Sequence, residues 1–106
     1  MYNYYFALAS QNFLLKEEPV EEILRERTEY YDSKNKNLDF WLVVNPNLAD
    51  FPNFIHKYIT NDCSYAAIIS FDKKFIQWLK LRIGFVIIGQ FKSNSLFIPN
   101  PKISNL

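Results

Sequence analysis

Apolar and polar positions alternate with period two at the start of the chain. From Tyr2 to Ala9, the residues Tyr4, Phe6 and Leu8 share one face, and Tyr5, Ala7 and Ala9 share the other. That spacing predicts a strand whose second face is small enough for a helix to pack close. Ser10 to Lys16 breaks the alternation and reads as a loop or short turn. Helical spacing then takes over, with Val20, Ile23, Leu24, Arg27 and Tyr31 on one stripe. Pro19 suits a first helical turn, and Glu17 and Glu18 lie where a helix dipole favours negative charge. The run D-S-K-N-K-N, Asp32 to Asn37, ends this helix by composition.

The next segment, Asp39 to Asn45, is D-F-W-L-V-V-N. Phe40, Leu42 and Val44 alternate with Asp39, Trp41 and Val43, so apart from Asp39 both faces are apolar. This predicts a central strand covered on both sides, or a strand with one face covered by another protein. Pro46 and Pro52 bracket an irregular connection, and a short helix is expected from Pro52 to Tyr58. Asn61 and Asp62 are turn residues ahead of a third strand, Ser64 to Ser70. Asp72 is a suitable N-cap for a third helix, in which Phe75, Ile76, Leu79 and Ile83 form an apolar stripe with Trp78 at its edge. Gly84 to Phe91 reads as a fourth strand, and residues 92–106, with Pro99 and Pro101, as an extended tail.

The order is therefore β-α-β-α-β-α-β. The turn after the first strand, S-Q-N-F-L-L, has no glycine and so lacks the phosphate loop of a doubly wound nucleotide-binding sheet. The expected architecture is a single α+β domain over residues 1–91, with a mixed or antiparallel four-stranded sheet packed with about three helices.

Three polar placements stand out against this pattern. Arg82 projects about 20° from Phe75 and about 40° from Trp78 on the third helix, inside the predicted apolar arc, whereas Lys73, Gln77 and Lys80 project away from it. A guanidinium stays charged at ordinary pH, so Arg82 must find a carboxylate, reach water, or be held for a partner. Asp39 interrupts an otherwise apolar strand beside Phe40 and Trp41. Arg25, Glu26 and Arg27 form a dense charge group on the first helix. An internal Arg82–Asp39 salt bridge tying helix to sheet is one account of the first two, and a solvated helix face is one account of Glu26. The other account is a binding hot spot, for which Arg and Trp are the favoured side chains.

Composition narrows the chemistry. The chain has 106 residues, 49% of them hydrophobic and 22% charged, which marks an ordered globular domain. The aromatic share of 18% exceeds what a core of this size needs, so some rings are expected at an interface. A net charge of +1 argues against a nucleic-acid protein, and the Lys73, Lys74, Lys80 cluster reads as a solvated face. Cys63 is the single cysteine and is expected to be partly buried; His56 is the single histidine and is expected on a helix surface. They provide neither a disulfide nor a metal-ligand set, and one imidazole leaves little from which to build a hydrolase triad. No apolar run approaches a membrane span, and no signal or transit pattern precedes Tyr2, so the protein is expected to act where it is made.

With these residues in hand, the chain resembles the small hypothetical-chloroplast-frame (frame fifty-four) proteins of cyanobacteria, algae and plants. The resemblance runs through Y-Y-F-A-L-A-S-Q, E-E-P-V-E-E-I-L-R-E-R, D-F-W-L-V, A-A-I-I-S and F-I-Q-W-L-K-L-R-I-G-F-V. It implies a non-catalytic accessory subunit, without a cofactor, of the aerobic magnesium-protoporphyrin IX monomethyl ester oxidative cyclase of chlorophyll biosynthesis. The implied partner is the separate di-iron catalytic subunit, which would also mediate any peripheral attachment to photosynthetic membranes. The implied location is the plastid or the cyanobacterial cytoplasm. Asp39 and Phe40 of D-F-W, Arg82 of W-L-K-L-R and Glu26 of R-E-R are the positions expected to meet that partner, with Trp78 added from its place beside Arg82. The alternative expectation is a tetrapyrrole carrier, in which aromatic faces and Arg82 hold the macrocycle and His56 is the only conventional axial ligand for magnesium.

Overall fold

The computed structural model describes residues 2–17, 20–35, 38–46, 51–60 and 63–93. Four strands, β1 (Tyr2–Ser10), β2 (Phe40–Val44), β3 (Tyr65–Ser70) and β4 (Ile87–Ser93), form one sheet in the order β2-β3-β1-β4. Every neighbouring pair is antiparallel, which makes the fold an antiparallel α+β domain. β1 is central, with Phe6 opposite Ile69 on β3 and Gly89 on β4, whereas β2, expected to be central from its two apolar faces, is an edge strand paired with β3 alone, both its faces being covered within the domain. Besides the helices α1 (Val20–Ser33) and α2 (Lys73–Ile83), a π-helical turn, Phe13–Glu17, precedes α1 and a 3₁₀ turn, Asn53–Lys57, lies between β2 and β3.

The period-two pattern assigns each strand residue a side. Ala7 and Ala9 of β1, Phe40 and Leu42 of β2, and Ala66 and Ile68 of β3 face α1 and α2, where Leu24, Tyr31, Phe75, Ile76, Leu79 and Ile83 complete one core. The alanines let the helices approach, as the small face of β1 predicts. Tyr4, Phe6, Leu8, Val43, Ala67 and Ile69 face the other way and are covered by Phe51 and Ile55 of the segment around the 3₁₀ turn. Rings line this second side, with Tyr4 stacked on Phe71 at 4.8 Å and Phe6 edge-on to Phe51 at 4.7 Å. Offset and edge-to-face rings at such spacings contribute beyond their area alone.

The elements differ from the sequence expectation mainly at their ends. β1 runs through Ser10, whose Oγ accepts from the Phe13 N–H at 3.1 Å and so starts the π-helical turn where a loop was expected. β2 excludes Asp39 and Asn45. The helix expected from Pro52 is the 3₁₀ turn. Gly84 is the C-cap of α2 and not the start of a strand: its φ of 95° is open to glycine, and its N–H donates to Lys80 O at 2.9 Å. Lys80 Nζ then donates to Gly84 O and Val86 O, both at 2.8 Å, anchoring the exit of the helix. β4 accordingly begins later and carries Lys92 and Ser93, which pair with Asn3 and Tyr2 and were expected in the tail. Glu18, Pro19, Asn61, Asp62 and the prolines of the tail lie outside the described residues.

Candidate surface between the two helices

One arginine does sit among apolar side chains, and it is Arg27 on α1. In projection it lies about 20° from Val20 and about 40° from Ile23, within the buried stripe. Its Nη2 donates to Tyr31 Oη at 2.9 Å and to Asp72 Oδ2 at 3.0 Å. The guanidinium lies over the Phe75 ring at 3.8 Å, with the Tyr31 and Phe40 rings 5.1 and 5.7 Å away. Tyr31 Oη passes the chain on, donating to Asp39 Oδ1 at 2.8 Å. Burial, and next the hydrogen bond to Asp39, raise the Tyr31 pKa above its ordinary 10.0, so the hydroxyl stays protonated and can donate. Asp72 Oδ1 meanwhile accepts from Lys74 N at 3.0 Å and Phe75 N at 3.3 Å as the N-cap of α2. Asp39, Tyr31, Arg27 and Asp72 thus join the start of β2, both helices and the cap into one polar chain.

Arg82 has a different setting. Trp78 is 48% exposed, so the buried arc of α2 stops at Phe75 and Arg82 falls just beyond it, exposed. The expected Arg82–Asp39 bridge is absent: Arg82 makes no hydrogen bond or ion pair among the described residues, and Asp39 is engaged by Tyr31. The helix-to-sheet tie that such a bridge would have supplied comes from Arg27. Its position in the α1 stripe is visible in the sequence, whereas its partner Asp72 is not.

The remaining expected residues divide between surface and interior. Glu26 and Trp78 both line an open groove of about 520 Å³ between α1 and α2, together with Ile23, Arg27, Tyr30 and Phe75. Arg82 follows Trp78 by one helical turn along the same flank of α2. Asp39 is partly buried and Phe40 is 2% exposed, in ring contact with Tyr31 and Phe75, so Phe40 shapes the floor of this region from beneath. Two residues outside the expected set are largely exposed as well, Leu81 at 86% and Phe85 at 84%, to either side of Arg82 in sequence. Phe85 makes one edge-on contact, with Phe13 at 6.2 Å. Exposed leucine and phenylalanine near an arginine that has no partner among the described residues add apolar and cationic surface at the end of α2.

His56 and Cys63 are both exposed, Cys63 more so than expected. His56 belongs to the 3₁₀ turn on the side of the sheet away from α2, so the sheet separates it from Arg82. A macrocycle held by Arg82 and ligated by His56, as the carrier expectation has it, would need both on one side. Among the described residues no group of three or more His, Cys, Asp or Glu side chains is arranged to hold a metal ion, and no helix is long and apolar enough to cross a membrane.

Comparison with known proteins adds the family context. The sequence signature described as Ycf54 protein matches residues 2–93. An uncharacterized protein ycf54 of Porphyra purpurea is 55% identical over 96 residues, covering 89% of this chain and 87% of its own. The chloroplastic protein YCF54 of Arabidopsis thaliana is 33% identical over 95 residues, covering 88% of this chain and 44% of its own. The crystal structure of the All0216 protein from Nostoc sp. PCC 7120 superposes with a TM-score of 0.79 at 46% identity, covering 99% of this chain and 97% of that one. Relatives are thus found in chloroplasts and in cyanobacteria.

Proposed function

This chain belongs to the Ycf54 family, and from that membership we propose that it is a non-catalytic accessory subunit of the aerobic magnesium-protoporphyrin IX monomethyl ester oxidative cyclase in chlorophyll biosynthesis. It binds the di-iron catalytic subunit and supports its accumulation or activity. The observation that carries the proposal is the outer flank of α2. Trp78, Leu81, Arg82 and Phe85 are exposed there, and the fold makes little use of them. Large apolar side chains left in water around an unpaired arginine are poorly explained by the stability of the domain alone. Covering them with a partner would bury the rings and give the guanidinium a desolvated acceptor. Glu26 lies across the groove and belongs to the same face, while Asp39 and Phe40 hold its floor in place.

Co-purification tests this. The tagged chain is co-expressed with the catalytic subunit, as wild type and as Arg82→Ala, with folding of both confirmed by thermal unfolding. Capture by wild type and weakened capture by the variant support the proposal. Losing a desolvated charged hydrogen bond costs about 2–5 kcal/mol of binding. No capture by wild type rejects it.

A further inference from the structure

We propose that the groove between α1 and α2 receives an amphipathic helix of the partner, which seats an apolar or aromatic side chain between Tyr30 and Trp78, turns cations toward α1 and turns carboxylates toward α2. This occupant rests on the accessory-subunit reading above and specifies the chemistry of the segment that docks.

The floor of the groove is apolar and its lips are oppositely charged. Ile23, Tyr30, Phe75 and Trp78 supply the apolar part. On α1 the exposed charges are Glu21, Glu22, Glu26, Glu29 and Asp32 against Arg25 alone, and Arg25 lies 3.8 Å from Glu21. On α2 they are Lys74 and Arg82 on the groove flank and Lys73 and Lys80 away from it, with no carboxylate in the helix. Glu26 lines the groove, and Glu22 and Glu29 lie beyond it at helical spacing on the outer side of α1; Lys74 and Arg82 stand one turn to either side of Trp78 along α2. Across the groove no ion pair joins the two rows among the described residues; the single inter-element bridge, Arg27–Asp72, lies at the N-cap of α2.

Helix electrostatics divide these charges: Glu21 and Glu22 in the first turn of α1 and Lys80 and Arg82 in the last turn of α2 suit the dipole, and the opposite ends do not. Lys73 and Lys74 occupy the first turn of α2, where the dipole disfavours cations, and the last turn of α1 has no basic residue but carries Asp32. Each helix would be better served by the opposite sign at that end. Two rows of opposite charge beside an apolar groove are complementary to a helix with the reverse pattern. Helix-in-groove recognition uses this combination of apolar anchors and flanking charge.

The test uses the full chain and the purified catalytic subunit, with association followed over a range of sodium chloride concentrations. The variants are Glu22→Lys/Glu26→Lys/Glu29→Lys on one lip and Lys74→Glu/Arg82→Glu on the other. A neutral set, Glu22→Gln/Glu26→Gln/Glu29→Gln, covers the case in which reversal disturbs folding. Each reversal is expected to slow association at low salt by about 10-fold or more and to flatten its salt dependence, because rim charges act mainly on encounter. The neutral set is expected to fall between wild type and reversal, with an unchanged melting temperature. Wild-type association rates in either reversed variant overturn the charged-helix occupant while leaving the accessory role standing. Losses that track a lowered melting temperature also overturn it, since the two rows would then serve only to hold α1 against α2. Failure of the wild type to bind rejects the accessory role and the occupant with it.

Discussion

Arg27 and Asp72 meet at 3.0 Å, and through that contact the middle of α1 is fastened to the first turn of α2. Asp72 acts twice, because one carboxylate oxygen takes the guanidinium and the other caps the helix. Both side chains are partly open to solvent, so the pair is not a fully desolvated one. The cap and the bridge are separable by chemistry. Asp72→Asn keeps an oxygen for the cap and loses the charge, whereas Asp72→Ala loses both. Adding a typical cap to a charged hydrogen bond, Asp72→Ala is expected to lower stability by about 2–4 kcal/mol and Asp72→Asn by about half as much. Urea unfolding of the three proteins checks the order; equal losses would show that the charge pair alone matters, and no loss in Asp72→Asn that the cap alone does.

Tyr31 connects the same arginine to Asp39, and its raised pKa carries a pH signature. The folded state favours the protonated phenol, so above the ordinary value of 10.0 the native protein binds more protons than the unfolded chain. Stability from this group is therefore complete below pH 10 and is lost as pH rises through the folded pKa. Tyr31→Phe removes the hydroxyl that satisfies Asp39 and is expected to cost about 1–2 kcal/mol at neutral pH. The difference between wild type and variant should shrink as pH climbs beyond 10. Paired denaturant titrations at pH 7, 9 and 10.5 measure it, and a difference that stays constant or grows contradicts the assignment.

Gly89 lies opposite Phe6 in the pairing of β1 and β4. A Cβ there would stand 2.7 Å from Phe6 Cζ and 3.0 Å from Phe54 Cζ. Phe6 is fully buried among the rings of the second side and has little room to turn. Gly89→Ala is expected to destabilise the domain by about 1–3 kcal/mol through overpacking. Capture of the catalytic subunit should survive at temperatures where the variant is folded, since the strain lies across the sheet from the α1–α2 groove. Calorimetry and co-purification at low temperature separate the two effects.

How much of this was legible beforehand depends on the range of the interactions involved. Strand and helix stripes were readable because period two and period 3.6 are local, and Asp72 declared itself as a cap. Sheet order was not readable, because pairing β1 with both β3 and β4 depends on contacts across most of the chain. Gly84 was assigned to a strand because the β-branched run after it dominates the local pattern; its positive φ belongs to the helix that precedes it. In the candidate surface, Glu26 and Trp78 do line one groove, and Arg82 lies on the same flank as Trp78. Arg27 is legible in the α1 stripe, but its role is not, because the bond to Asp72 spans 45 positions. The exposure of Leu81 and Phe85 was equally hidden, since an apolar residue at the end of an amphipathic helix gives no local sign that it faces water.

Phe40 and Arg82 offer the sharpest contrast for reading binding data on this face. Both were expected to meet a partner, yet one is buried under Tyr31 and Phe75 and the other stands in water. Phe40→Ala removes a core ring from beneath the Arg27 guanidinium and is expected to cost about 3–5 kcal/mol of stability. Arg82→Ala touches no internal partner and should change stability by less than about 0.5 kcal/mol. If both substitutions weaken capture of the catalytic subunit, the causes differ: loss of a contact for Arg82, and loss of the floor that positions the groove for Phe40. Phe40→Leu distinguishes them, because it refills much of the volume without restoring an aromatic ring. Capture and melting temperature that recover together in Phe40→Leu would assign Phe40 a supporting role. A recovered melting temperature with capture still lost would instead mean that the ring itself reaches the partner, by a movement of α1 or α2 that exposes it on binding.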